Sequence, residues 1–340
     1  MRSPLAAAAL AVLSTPALAE APSVAVDIAP VHSLVARVME GVGEPSLIVR
    51  EGASPHAYSL RPSEAEALQG AAVVFWTSPE LTPWLGDALE KLAPDARAVE
   101  LIEAEGTERL EFREGATFEA HDHAHEEEDH AAGEHDDADH DHDAEHDHEE
   151  AHEDHAHEEH ERDAHGHAHE GADPHAWLDP GNAAVWLDVI ADALAEADPE
   201  HAETYRRNAD AAQAEIDALT ADLEATVAPV RGRPYIVFHD AYQYFGRRFD
   251  VEAAGAISLS DASKPSPARV AEVRDLAAQV GAVCVFSEPQ FAPGIVDAVF
   301  GDGEVRTAVL DPLGMGLETG PGLYPALLRK LATSLADCLR

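Results

Sequence analysis

Short apolar runs alternate along this chain with longer stretches that are apolar on one side only. Residues 24–29, 47–49, 71–76 and 98–101 read as strands. The segments 32–39, 63 onward and 83–92 between them read as helices. For the second of these, Ser63 is the expected N-cap and Glu66 completes a capping box. The alternation resumes after residue 234. Strands are expected at 235–238, within 251–259, at 282–286 and at 307–310, and helices at 239–249, 267–280, 295–300 and 324–339. In 267–280 the apolar residues Val270, Val273, Leu276 and Ala277 share one helical face. Alternation at this spacing predicts an α/β fold of mostly parallel sheets wrapped by helices. Between the two sets lie a helix at 182–197 and a longer one at 200–227 with no Gly or Pro inside it. The reading is therefore an N-terminal α/β lobe over 20–197, a linking helix within 198–230, and a C-terminal α/β lobe over 231–340.

One segment breaks the pattern. Residues 119–173 hold 24 of the 66 acidic residues and 16 of the 21 histidines, with almost no apolar side chains. Such a segment cannot bury enough apolar surface to offset the entropy of ordering, so 119–171 is expected to be a disordered insertion. The whole chain of 340 residues carries a formal charge of −44. Nucleic acid and anionic membrane surfaces are poor partners for it, whereas cations suit it.

The first 19 residues have the form of an export signal. Arg2 precedes an apolar run from Leu5 to Leu13, and Ala17-Leu18-Ala19 makes a small-x-small cleavage site. That run is too short to span a bilayer, and no later run reaches about 18 apolar residues. With no Cys near the cleavage site, the expected product is a soluble exported protein free of a lipid anchor. Two cysteines remain, Cys284 and Cys338. An even count in an exported chain suggests a disulfide, with two buried free thiols as the alternative. A thiolate metal site lacks any C-x-x-C spacing.

Outside the His-rich segment five histidines remain: His32, His56, His175, His201 and His239. His239 follows the expected strand 235–238, His56 lies in the Gly/Pro loop after strand 47–49, and His175 lies between two Asp-Pro turns. Asp311 follows the expected strand 307–310. Parallel sheets place ligands at the carboxyl ends of their strands, so these four residues are candidates for one metal site. His201, near the start of the long helix, is expected to be solvated, and His32 is expected close to the crevice. Glu51 and Glu64 are nearby carboxylates without an assigned role.

The words around these residues carry a resemblance. Gly52-Ala-Ser-Pro-His56-Ala-Tyr-Ser-Leu-Arg-Pro-Ser63, Asp173-Pro-His175-Ala-Trp-Leu-Asp-Pro180, Phe238-His239-Asp-Ala-Tyr-Gln-Tyr-Phe245 and Leu310-Asp311-Pro-Leu-Gly314 occur in order. Each resembles a metal-ligand motif of the metal-binding solute-binding proteins of bacterial ABC transporters, the cluster A-I family. The resemblance implies two α/β lobes bridged by one long rigid helix, with a metal in the cleft between them. It implies His56, His175 and His239 as ligands and Asp311 as a ligand or a supporting group.

Manganese-binding members carry Glu where this chain has His239. Three imidazoles suit Zn²⁺, whereas oxygen-rich sets suit Mn²⁺. The acidic His-rich insertion and the Cys284–Cys338 pair are further features shared with the ZnuA-type zinc branch. The function so implied is capture of Zn²⁺ by a monomer in the periplasm and delivery to an ABC permease in the inner membrane. No nucleic acid, enzymatic activity or membrane insertion is expected.

In the insertion, paired spacings recur: His121, His123 and His125; His140 and His142; His146 and His148; His155 and His157; His165, His167 and His169. Imidazoles among carboxylates attract Zn²⁺, so these are expected to form weaker sites that capture, transfer or sense the metal. Rival readings are a manganese- or iron-binding member of the same family, a zinc hydrolase and a periplasmic zinc buffer. The hydrolase lacks an H-E-x-x-H helix and a G-x-S-x-G elbow. A buffer would need only the insertion.

Overall fold

The computed structural model describes residues 21–113, 118, 171–258, 266–291, 296, 300 and 305–340. The export signal and the His-rich insertion lie outside the described residues, as does most of the expected helix at 295–300.

Two four-stranded sheets, parallel throughout, organise the chain. The first contains β1 (Val24–Val26), β2 (Ser46–Leu47), β3 (Val73–Trp76) and β4 (Arg97–Glu100), in the order β2-β1-β3-β4. The second contains β5 (Tyr235–His239), β6 (Gly255–Ser258), β7 (Cys284–Ser287) and β8 (Arg306–Val309), in the order β6-β5-β7-β8. The order is the same in both. Each sheet starts in the middle and reverses direction next to its first strand, which opens a crevice at the carboxyl ends of β1 and β3 and of β5 and β7.

Side chains alternate across each strand, and the alternation sorts them into three cores. Val24, Val26, Val73 and Phe75 from the first sheet share one continuous core with Tyr235, Val237, Cys284 and Phe286 from the second. The helices α1 (Ala29–Val38), α4 (Pro180–Ala197), α5 (Ala202–Val227) and α8 (Leu323–Leu339) fill that core. On the far face of the first sheet, Ala25, Val74 and Trp76 pack against α2 (Pro62–Gln69) and α3 (Leu85–Leu92) through Leu68, Leu85 and Leu89. On the far face of the second, Ile236, Phe238 and Val285 pack with Val273, Leu276 and Ala277 of α7 (Pro267–Val280). Helix α6 spans Gln243–Phe249.

The bridge is α5. Its buried residues Tyr205, Ala209, Ala212, Ile216, Leu219, Leu223 and Val227 recur every three or four positions, which puts one stripe on the shared core. Cys284 and Cys338 are joined by a disulfide, with Cα atoms 6.1 Å apart, which fastens α8 to β7.

Three local expectations change. The cap of α2 is Arg61, not Ser63: Pro62 takes the first helical position, which its missing N–H and fixed φ suit, and Glu64 accepts the Arg61 N–H at 2.7 Å. His239 is the last residue of β5, and α6 starts only at Gln243, four residues beyond. His201 is half-buried instead of solvated: its Nδ1 bonds Asp198 Oδ2 at 2.7 Å, and the Tyr205 hydroxyl donates to the same oxygen. Asp198 thus ties the turn between α4 and α5.

Candidate metal centre

The structure brings His56, His175 and His239 together. The His175 ring centroid lies 5.2 Å from that of His239 and 5.8 Å from that of His56. His239 ends β5 at the crevice of the second sheet. His175 opens a single 3-10 turn, Ala176–Leu178, just before α4, with Trp177 packed on it at 5.2 Å. His56 sits in the loop after β2, anchored by the Trp84 indole N–H, which donates to the Pro55 carbonyl at 2.8 Å. His175 and His239 are buried, and His56 is half-buried on the outer side of the cluster.

Each ring is held through Nδ1. His56 Nδ1–H donates to the Glu80 carbonyl at 3.1 Å, and His175 Nδ1–H to Asp173 Oδ1 at 2.7 Å. His239 Nδ1–H donates to Glu288 Oε1 at 2.6 Å. A backbone carbonyl can only accept, so the Glu80 contact fixes the proton of His56 on Nδ1. In all three rings Nε2 is the atom presented for a metal, and the two carboxylates make their imidazoles more basic.

The Nε2 atoms of His175 and His239 are 3.3 Å apart. Zinc–nitrogen bonds of about 2.0–2.1 Å at a tetrahedral angle put two nitrogens about 3.3 Å apart, so this pair already has the spacing of one edge of a zinc site. Among the described residues no three His, Cys, Asp or Glu side chains are closed on a metal-sized point as they stand.

The surrounding charges are mostly buried. Asp173 is fully buried, and burial pushes its pKa up to about 7 against the opposing pull of the His175 backbone N–H and the Arg113 charge. Asp240, next to His239, is also raised by burial, while Arg113 draws it down through a bidentate ion pair. The Arg113 guanidinium lies over the Phe118 ring at 3.6 Å.

Asp311 is placed differently from the histidines. Its Oδ1 accepts from Leu313 N (3.0 Å), Gly314 N (3.1 Å) and Gln290 Nε2 (3.0 Å), and its Oδ2 from Met315 N (2.5 Å). Three donors crowd Oδ1 and one bonds Oδ2, so the carboxylate caps the turn at residues 313–315 while Oδ2 keeps one acceptor site. His32 stands apart in α1, buried and bonded to the Pro45 carbonyl at 3.0 Å. Glu64 bonds the Tyr58 hydroxyl and the Arg61 backbone, and Glu51 accepts from Gly316 N. The clustered histidines of 121–169 lie outside the described residues.

Sequence reasoning does not name the groups that orient the ligands. Asp173 stands two residues before His175 in its motif, where it could have been read as an orienting acid. Glu288 is 49 residues from His239 and meets it only because β5 and β7 are neighbours at the crevice. The Glu80 carbonyl leaves no trace in the sequence.

Two buried imidazoles and a half-buried third, each presenting Nε2, thus gather at the crevice of a two-sheet α/β protein with one bridging helix, an arrangement suited to holding a metal. Residues 24–338 match the ZnuA family, described as "Zinc-uptake complex component A periplasmic". The chain is 48% identical over 320 residues to the High-affinity zinc uptake system protein ZnuA of Brucella abortus (strain 2308), covering 94% of this chain and 92% of that one. To the protein of the same name from Paracoccus denitrificans (strain Pd 1222) it is 47% identical over 334 residues, covering 98% and 96%. A solved structure titled "Crystal structure of ZnuA" superposes with a TM-score of 0.69 at 21% identity, covering 94% of this chain and all of the other, and so shares the fold. The chain belongs to the ZnuA family.

Proposed function

We propose that this chain is the solute-binding component of a zinc importer, which captures Zn²⁺ in the periplasm and delivers it, as a monomer, to an ABC permease in the inner membrane. Zinc is its cargo, and the chain is a transport component, not an enzyme. The family is a periplasmic one, and among the described residues no helix is long and apolar enough to cross a membrane.

The observation that carries the reading is the His175–His239 pair, whose Nε2 atoms stand 3.3 Å apart with both Nδ1 atoms tied to carboxylates. Zinc is held by Nε2 of His56, His175 and His239. Asp173 and Glu288 offset the metal charge from behind the rings. Asp311 acts outside the coordination shell, because both of its oxygens are engaged in capping the turn at residues 313–315. An imidazole set of this kind suits zinc better than the harder manganese. The His-rich insertion adds weaker ligands that capture, transfer or sense zinc.

The test is zinc uptake in cells lacking their own periplasmic zinc-binding protein. Expression of this chain should restore zinc-limited growth when the cognate permease is present and not when it is deleted. Restoration without the permease would favour a buffer, and no restoration with it would overturn the reading.

A further inference from the structure

His175 and His239 already hold the spacing of a zinc edge, whereas His56 is half-buried on a loop, so the way that loop is held bears on capture. At the start of the loop, Glu51 Oε1 accepts the N–H of Gly316 at 2.6 Å. Gly316 belongs to the segment 311–317 after β8, at the carboxyl end of the second sheet. That segment is itself fixed: Asp311 collects the N–H groups of Leu313, Gly314 and Met315, and Lys330 Nζ donates to the Met315 carbonyl at 3.2 Å. Gly314 and Gly316 have φ of +78° and +80°, which a side-chain-bearing residue rarely adopts, so the segment turns sharply toward the first sheet. There Met315 lies over Gly52, whose position would bring a Cβ to 3.6 Å from the Met315 sulfur.

Resting on the ligand set argued above, we propose that Glu51 is a positioning residue for zinc capture: its bond to Gly316 ties the His56 loop to the Asp311-organised loop and holds His56 within reach of His175 and His239. The assignment gives Asp311 a part in the site without a bond to metal. It also gives the outermost ligand one exposed bond whose loss loosens it. Two other roles are open to an acid at this place, a direct metal bond and a general attraction for Zn²⁺. Both need the carboxylate charge, whereas the positioning role needs only an oxygen that accepts from Gly316.

That difference sets the experiment. Zinc release from the full chain is followed by stopped flow into excess chelator, with thermal unfolding as a check on folding. Glu51→Ala should speed release about tenfold, the effect of losing one charge-assisted hydrogen bond. Glu51→Gln, which keeps the accepting oxygen but not its charge, should speed release only about threefold. In a His56→Ala background, Glu51→Ala should add nothing, because its effect passes through His56. The proposal is overturned if Glu51→Ala releases zinc at the parental rate, if Gln behaves like Ala, or if the effect persists without His56. If His56→Ala alone leaves release unchanged, the ligand set fails first, and that outcome is separable because it involves no change at Glu51.

Discussion

Nε2 of His175 faces Nε2 of His239 at 3.3 Å while each ring donates its Nδ1 proton to a buried carboxylate. A ligating imidazole must be neutral at its bound nitrogen, so protons compete with zinc for this pair and zinc affinity should fall as pH is lowered. Competition titration of a 119–171 deletion at several pH values measures this. An affinity that does not change with pH would contradict imidazole ligation.

The carboxylates behind the rings are expected to matter nearly as much as ligands. Glu288→Gln and Asp173→Asn should each weaken zinc binding about 10–100-fold, because they loosen ring orientation and lower imidazole basicity. Competition titration against a chromophoric chelator reads the affinity. Parental affinity in both variants would mean that the Nδ1 bonds are incidental.

Much of the fold is legible in the sequence because periodicity reports burial. Strand 235–238 and helix 267–280 read directly, since Ile236 and Phe238 face one core, Tyr235 and Val237 the other, and Val273, Leu276 and Ala277 line one helical side. The three histidines are legible from their local words. What stays hidden depends on strand order and backbone. The Glu288–His239 contact requires β7 beside β5, and the role of Asp311 comes from three backbone N–H groups that no side-chain pattern marks. The α2 cap is Arg61 because Pro62, with no N–H to lose and its φ preset, takes the first helical position ahead of Ser63.

Asp27 links the first sheet to pH. It is fully buried after β1, its carboxylate accepts from Ile28 N (2.7 Å) and Thr77 N (2.6 Å), and burial pushes its pKa up to about 6 despite those bonds. A carboxyl whose pKa is higher in the folded state binds its proton more tightly there. Its contribution is therefore full at low pH and declines as pH rises from about 4 to about 6. In chelator, the stability of the parent relative to Asp27→Asn should fall by up to about 3 kcal/mol between pH 4 and pH 7. Urea unfolding at several pH values checks it, and a difference that is flat across the range would refute the shift.

The Cys284–Cys338 bridge closes a separation of 54 residues between β7 and α8. Its removal by Cys338→Ser should reduce stability by about 2–4 kcal/mol while leaving zinc affinity nearly unchanged, because neither sulfur is near the three imidazoles. Thiol titration of the unfolded, unreduced protein should find no free thiol. Two free thiols, or an unchanged unfolding midpoint in the variant, would contradict the bridge.

The ligand set itself is tested most directly by a crystal structure of the zinc-loaded chain, with the metal located by its anomalous signal. The account predicts one fully occupied zinc bonded to Nε2 of His56, His175 and His239 at about 2.0–2.1 Å, with Asp311 still capping residues 313–315 and outside the coordination shell. A zinc bound through Nδ1, bonded to the Asp311 carboxylate, or seated away from these three rings would contradict it.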